Sequence, residues 1–152
     1  MSKLLIIYAS THHACTKKLL ELAGEEIAFD MVSVDEVDQC DLASYDCIGL
    51  ASGIYMAKPH NKIIDLIEVY KEELKNKRVV TIFTSGVKNK KNIKTFLNQM
   101  IEKGISNTAS FRCKGYDTYG PLRFIGGINK GHPNQRDAEQ LVCFFKENVK
   151  FT

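Results

Sequence analysis

The 152-residue sequence carries a formal net charge of +3 at pH 7, and 44% of its residues are hydrophobic. This length and apolar content suit a single domain over residues 1–152 with one continuous core. No stretch approaches the roughly 20 apolar residues of a membrane span, and basic residues are not concentrated as in nucleic-acid-binding proteins, so we expect a cytoplasmic protein that contacts neither membrane nor nucleic acid.

The predicted elements alternate between strands and helices along the chain. The first strand, Leu4–Ala9, is apolar on both faces, as in a strand buried within a parallel sheet. A helix is predicted from about Cys15 to a stop at Gly24. The other predicted strands are residues 28–34, 47–51, 79–83 and 108–111. Three further helices are predicted from apolar residues that would face inward. The first has Ile63, Ile64, Ile67 and Leu74, the second has Ile93, Phe96, Leu97, Met100 and Ile101, and the third, within residues 134–149, has Ala138, Leu141, Val142 and Phe145.

This alternation predicts the fold class and the position of a ligand site. Strands that alternate with helices pair in parallel through right-handed crossovers, which gives an α/β sheet covered by helices on both faces. In such folds, ligands bind at the loops that leave the carboxyl ends of the strands. Four predicted loops therefore matter most: residues 10–16, 52–60, 84–91 and 112–133.

The five cysteines are scattered, odd in number and form no CxxC pair. This pattern indicates neither a zinc site nor a disulfide framework. We expect most of them to be reduced and packed as small apolar side chains.

The first loop places hydroxyl side chains at the start of a helix. Hydroxyls beside the N–H groups of a helix start can surround a phosphate with hydrogen-bond donors, and protonated histidines add positive charge. The alternative is that the Ser and Thr residues only cap the helix and that the histidines lie at the surface without a role in binding. The candidate residues are Ser10, Thr11, His12, His13, Ala14, Cys15 and Thr16.

This loop resembles the first loop of the flavodoxin family, in which a hydroxyl-rich S-x-T-G-N-T-like turn follows an apolar strand. Ser10, Thr11 and Thr16 match that pattern, whereas Ala14 and Cys15 stand where many members have Gly and Asn. The resemblance implies a doubly wound, five-stranded parallel sheet of order 2-1-3-4-5, with FMN bound through its phosphate in this turn. Alanine and cysteine at the two differing positions imply weaker phosphate binding.

The other three loops resemble flavodoxin loops in the same chain order. By this resemblance, Tyr55 and Met56 form a wall against the flavin ring, the small residues of the third loop approach its edge, and Tyr119 supplies an aromatic lid. The alternatives are that Tyr55 only covers its loop and that Tyr119 has a packing role. The implied contact residues are Ser52, Gly53, Ile54, Tyr55 and Met56, then Thr84, Ser85, Gly86 and Val87, then Tyr119 and Gly120.

Three functions stay open at this point. The resemblance favours an FMN-binding electron carrier, which needs a redox partner protein but no catalytic side chain and no metal. The second is an FMN-dependent oxidoreductase that acts on a quinone or porphyrinogen-type substrate. The third is a regulatory module without flavin, motivated by Ala14 and Cys15. The identity of the partner and the choice between monomer and homodimer stay open as well.

Overall fold

The apolar runs of the sequence form the strands of one mainly parallel sheet. A computed structural model describes residues 3–9, 15–55, 58–85, 90–105, 107–114 and 133–149. Five parallel strands lie in the order β2-β1-β3-β5-β6, which confirms the predicted order of the five main strands, and the short β4 pairs with β3 in antiparallel orientation. The strands are β1 Leu4–Ala9, β2 Asp30–Ser33, β3 Cys47–Tyr55, β4 Lys58–Pro59, β5 Arg78–Ser85 and β6 Asn107–Lys114.

The described residues contain five α-helices, which lie between or after these strands. The predicted bounds of the first helix are confirmed, and the last helix is one residue shorter at each end than predicted, because Asn134 and Val149 are its caps. The side chain of Asn134 accepts a hydrogen bond from the Asp137 N–H, and Asp137 accepts one from the Asn134 N–H, so the two form a capping box. The helices are α1 Cys15–Gly24, α2 Asn61–Val69, α3 Lys71–Lys75, α4 Lys90–Glu102 and α5 Gln135–Asn148.

Each face of the sheet is covered by its own apolar layer. The α2/α4 layer contains side chains from those two helices and every second strand residue, among them Leu50 and Phe83. The α1/α5 layer contains the alternate strand residues, among them Ile6 and Ile82. Because side chains on a strand alternate between faces, the strand residues divide between the two layers as a doubly wound sheet requires.

Three further features of the helices differ from the sequence predictions. The predicted single helix with Ile63 and Leu74 is interrupted at Tyr70, where φ is −107° and ψ is 18°. Ile101, assigned to the buried stripe of α4, is 65% exposed, because it lies about 100° around the helix from the fully buried Met100 and so outside the stripe that faces the core. Residues Val34–Gln39 and Leu42–Ser44 form 3₁₀ helices that hydrophobic periodicity did not indicate.

The second predicted loop is largely a pair of strands. Residues 52–55 continue β3, and Ile54 and Tyr55 pair with Pro59 and Lys58 of β4. Residues 112–114, predicted as loop, likewise continue β6 beside β5. Residues 52–53 and 112–114 pair with strands that are distant in the chain, which local patterning does not report, whereas Ile54 and Tyr55 pair with the nearby β4.

Within the described ranges, no helix combines the length and the apolar character needed to cross a bilayer.

Candidate functional site

The strand positions predicted to contact a ligand lie along one edge of the sheet, where the parallel strands reach their carboxyl ends. Gly53 on β3 pairs with Thr84 on β5, which pairs with Cys113 on β6. One position earlier, Ala9 on β1 pairs with Ser52 on β3. This is the edge at which doubly wound folds bind ligands. The structure therefore brings the described residues of the second and third predicted segments together.

The start of α1 is joined to this edge by a buried hydrogen bond. The Oγ1 atoms of Thr16 and Thr84 lie 3.1 Å apart, and either hydroxyl has the geometry to donate. The two residues are only 1% and 3% exposed. An α-helix leaves the N–H groups of its first turn without partners inside the helix, and its positive dipole end lies there. The hydrogen bond therefore holds the start of α1, where an anion can bind, against the end of β5.

Ser52 holds the β3–β4 extension in place. Its hydroxyl donates to the Gly53 carbonyl at 2.6 Å and accepts from the His60 N–H at 2.9 Å. Ser52 is fully buried on the face of the sheet covered by α2 and α4. The His60 side chain in turn caps α2 by accepting from the Lys62 N–H at 3.0 Å. The Ser52 hydroxyl therefore fixes the backbone around Gly53, beside the point where β3 reaches the edge.

Cys113, which pairs with Thr84, and the nearby Asp137 are two further groups that sequence reasoning did not select. Burial, with smaller contributions from the Asp137 carboxylate and Cys15, raises the pKa of the Cys113 thiol to about 12. Asp137 is 8% exposed, and it belongs to the first turn of α5. The Asn134-x-x-Asp137 spacing was the available sequence signal for Asp137. At neutral pH, the Cys113 thiol is therefore protonated, which makes it a poor nucleophile.

We expect the cysteines to differ strongly in their reaction with iodoacetamide at pH 8. Burial raises the pKa of Cys47 to about 11, although Arg78 opposes that shift, and Cys113 is raised to about 12. Only the thiolate reacts, so both should be alkylated at least about a hundredfold more slowly than the exposed Cys143. Mass spectrometry of peptides over a time course measures the three rates. Equal rates at Cys113 and Cys143 would contradict the buried environment described above.

The other candidate residues are described in part or not at all. Cys15 is buried at the first position of α1, and Ser85 at the end of β5 is half-buried. Gly53 and Ile54 lie within β3, and Tyr55 is described through its backbone. The remaining candidates lie outside the described residues: Ser10, Thr11, His12, His13, Ala14, Met56, Gly86, Val87, Tyr119 and Gly120.

Across the described residues, no disulfide bond joins any of the five cysteines, and no group of three His, Cys, Asp or Glu side chains is placed to hold a metal ion. Two of the cysteines, Cys15 and Cys47, are buried, Cys40 and Cys113 are half-buried, and Cys143 is exposed. The expected packing of the cysteines as small apolar side chains therefore holds fully for Cys15 and Cys47.

Solved structures of flavodoxin-like proteins share this fold. An FMN-complexed flavoprotein from Lactobacillus acidophilus superposes with a TM-score of 0.60 at 21% identity, over 74% of this chain and 93% of the other. The two-electron reduced flavodoxin of Megasphaera elsdenii gives 0.63 at 12% identity, over 93% and 98%. A flavodoxin from the domain Archaea gives 0.61 at 15% identity, over 97% and 99%. At these identities, the likeness is one of fold.

Sequence similarity extends over most of the chain. An uncharacterised protein of Methanocaldococcus jannaschii is 35% identical over 150 residues, which cover 97% of this chain and 99% of that protein. The pattern of the flavodoxin domain family matches residues 5–122, a range that begins in β1 and includes the ends of β1, β3, β5 and β6. Together with the observed strand order, this match means that the chain belongs to the flavodoxin family.

Proposed function

We propose that this protein binds FMN and acts as a cytoplasmic electron-transfer protein. The observation that carries the proposal is the Thr16–Thr84 hydrogen bond, which joins the first helix start to the β5 end at the ligand-binding edge. Membership of the flavodoxin family and the fold shared with an FMN-complexed flavoprotein support the choice of ligand.

The described residues fit the two chemical parts of FMN. A phosphate suits the start of α1, where first-turn N–H groups and the Thr16 hydroxyl meet the positive end of the helix dipole. A flat ring suits the carboxyl end of β3, where Gly53 carries only a hydrogen atom in place of a side chain. FMN supplies one- and two-electron redox chemistry, so the protein's part is to bind, orient and shield it.

A titration of the purified protein with FMN tests this proposal. Flavin fluorescence should be quenched in a saturable manner with a stoichiometry near one FMN per chain. Riboflavin, which lacks the phosphate, serves as the control ligand and should bind more weakly. Protein that leaves the fluorescence of both flavins unchanged would refute the proposed function and favour a flavin-free regulatory module.

A second measurement separates a carrier from an oxidoreductase. The FMN-loaded protein, mixed with NAD(P)H and a quinone, should oxidise the nucleotide only slowly without an added reductase, because a carrier receives its electrons from a partner protein. Because the chain is net positive, we propose that the partner docks against a local surface patch rather than through the overall charge of the protein. Rapid turnover without a reductase would instead identify an FMN-dependent oxidoreductase.

A further inference from the structure

The buried hydroxyl groups of Thr16 and Thr84 can form more hydrogen bonds than the one that joins them. A threonine hydroxyl carries one proton to donate and two acceptor lone pairs. The two oxygens lie 3.1 Å apart, and both residues are almost fully buried, so the bond is shielded from competing water. Thr16 is the second residue of α1, whereas Thr84 lies one residue from the end of β5.

The direction of this hydrogen bond determines whether Thr16 can donate a hydrogen bond to an anion. If Thr16 donates to Thr84, its single proton is used and its oxygen repels a nearby phosphate oxygen. If Thr84 donates, the Thr16 proton is left for the phosphate, and the first bond polarises the second. A bound phosphate therefore favours the arrangement in which Thr84 is the donor.

We propose that Thr84 is a positioning residue that makes the site selective for phosphorylated flavin. Its hydroxyl donates to Thr16 Oγ1 and so directs the Thr16 proton toward the phosphate. Thr84 acts only through Thr16 in this scheme. The inference rests on the proposed binding of FMN, and it assigns to a β5 residue a role in recognising the phosphate rather than the ring.

The ratio of riboflavin to FMN dissociation constants is the measurement that isolates this role. Thr84→Val should raise the FMN dissociation constant about threefold to tenfold, the range expected for one hydrogen bond, and leave that of riboflavin unchanged. Thr84→Ser keeps the hydroxyl and should restore the ratio. In a Thr16→Val background, Thr84→Val should change FMN binding by less than about twofold, because its effect passes through Thr16.

Thr81→Val is a matched control on the same strand. Thr81 is fully buried and forms its own hydroxyl pair with Ser110. It lies on the opposite face of the sheet, three positions before Thr84, and should leave the ratio of dissociation constants unchanged. Thermal unfolding of the apo forms reveals any folding defect, and if Thr84→Val has one, Thr84→Cys removes the strong donor at a similar volume.

The possible outcomes separate the inference from the proposed function. Wild-type protein that binds neither flavin overturns both. Wild-type protein that binds FMN, together with a Thr84→Val variant of unchanged ratio, overturns only the role of Thr84. A variant that loses affinity for riboflavin as much as for FMN does the same, because its defect is then structural.

Discussion

Replacing Phe83 with alanine should lower the free energy of unfolding by about 3–5 kcal/mol. Phe83 is fully buried in the α2/α4 layer, on the interior strand β5. Its ring lies edge-on to that of Phe96 in α4, with centroids 6.1 Å apart and an interplanar angle of 75°. Truncation removes the buried ring, leaves a cavity and breaks this contact, and the loss is a large part of the roughly 5–15 kcal/mol that stabilises a domain.

Urea unfolding followed by circular dichroism measures this loss. Val69→Ala is the control, because Val69 is 70% exposed and its truncation should change the free energy of unfolding by no more than about 0.5 kcal/mol. If Phe83→Ala costs no more than Val69→Ala, the described α2/α4 layer is incorrect.

Gly49→Ala should lower the free energy of unfolding by about 1–2 kcal/mol. A Cβ atom at this position of β3 would lie 2.3 Å from Ile6 Cδ1 and 3.5 Å from Ile82 Cδ1. Ile6 is fully buried on the adjacent strand β1, so moving its Cδ1 atom aside disturbs the packing of the α1/α5 layer. Such overpacking costs about 1–3 kcal/mol, offset in part by the roughly 0.4–1 kcal/mol that alanine gains by restricting the unfolded chain.

A double mutant tests the cause of that loss. Ile6→Val removes the Cδ1 atom that the new methyl group would meet, so Gly49→Ala should cost about 1 kcal/mol less in the Ile6→Val background than in the wild type. Ile82→Val is the control, because its Cδ1 atom lies at an ordinary contact distance and its removal should give little relief. Strictly additive free energies for Ile6→Val and Gly49→Ala would show that the clash is not the cause.

Hydrophobic periodicity and the signals that start and stop helices were sufficient to predict most of the fold. The apolar run of β1, the Gly24 stop of α1 and the Asn134 cap of α5 all act locally, so the sequence reports them directly. The extension of β3 through Tyr55 depends on pairing with β4 and on the Ser52 hydroxyl, which bonds to His60. Because β4 has only two residues and one of them is Pro59, hydrophobic alternation gave no signal for this strand.

The edge that carries the candidate site was predictable from the fold, but the contacts within it were not. Parallel topology alone places the ends of β3 and β5 at one edge, so the pairing of Gly53 with Thr84 follows from the predicted fold. The bond between Thr16 and Thr84 spans 68 positions, and the burial of Asp137 depends on how α5 packs. Such contacts follow from the tertiary structure, so they could not be predicted from the local sequence.

The packing of α5 sets the moment at which the newly made chain can finish folding. Leu141, Val142 and Phe145 of this helix complete the layer that also covers Leu4 and Ile6 of the first strand, and the Phe145 ring lies 5.6 Å from that of Phe29. A ribosome delivers the chain from its amino end, so α1 can cover β1 early, whereas the part of this layer that lies over β6 stays uncovered until α5 has emerged. The nascent chain therefore keeps an apolar surface exposed until α5 is made.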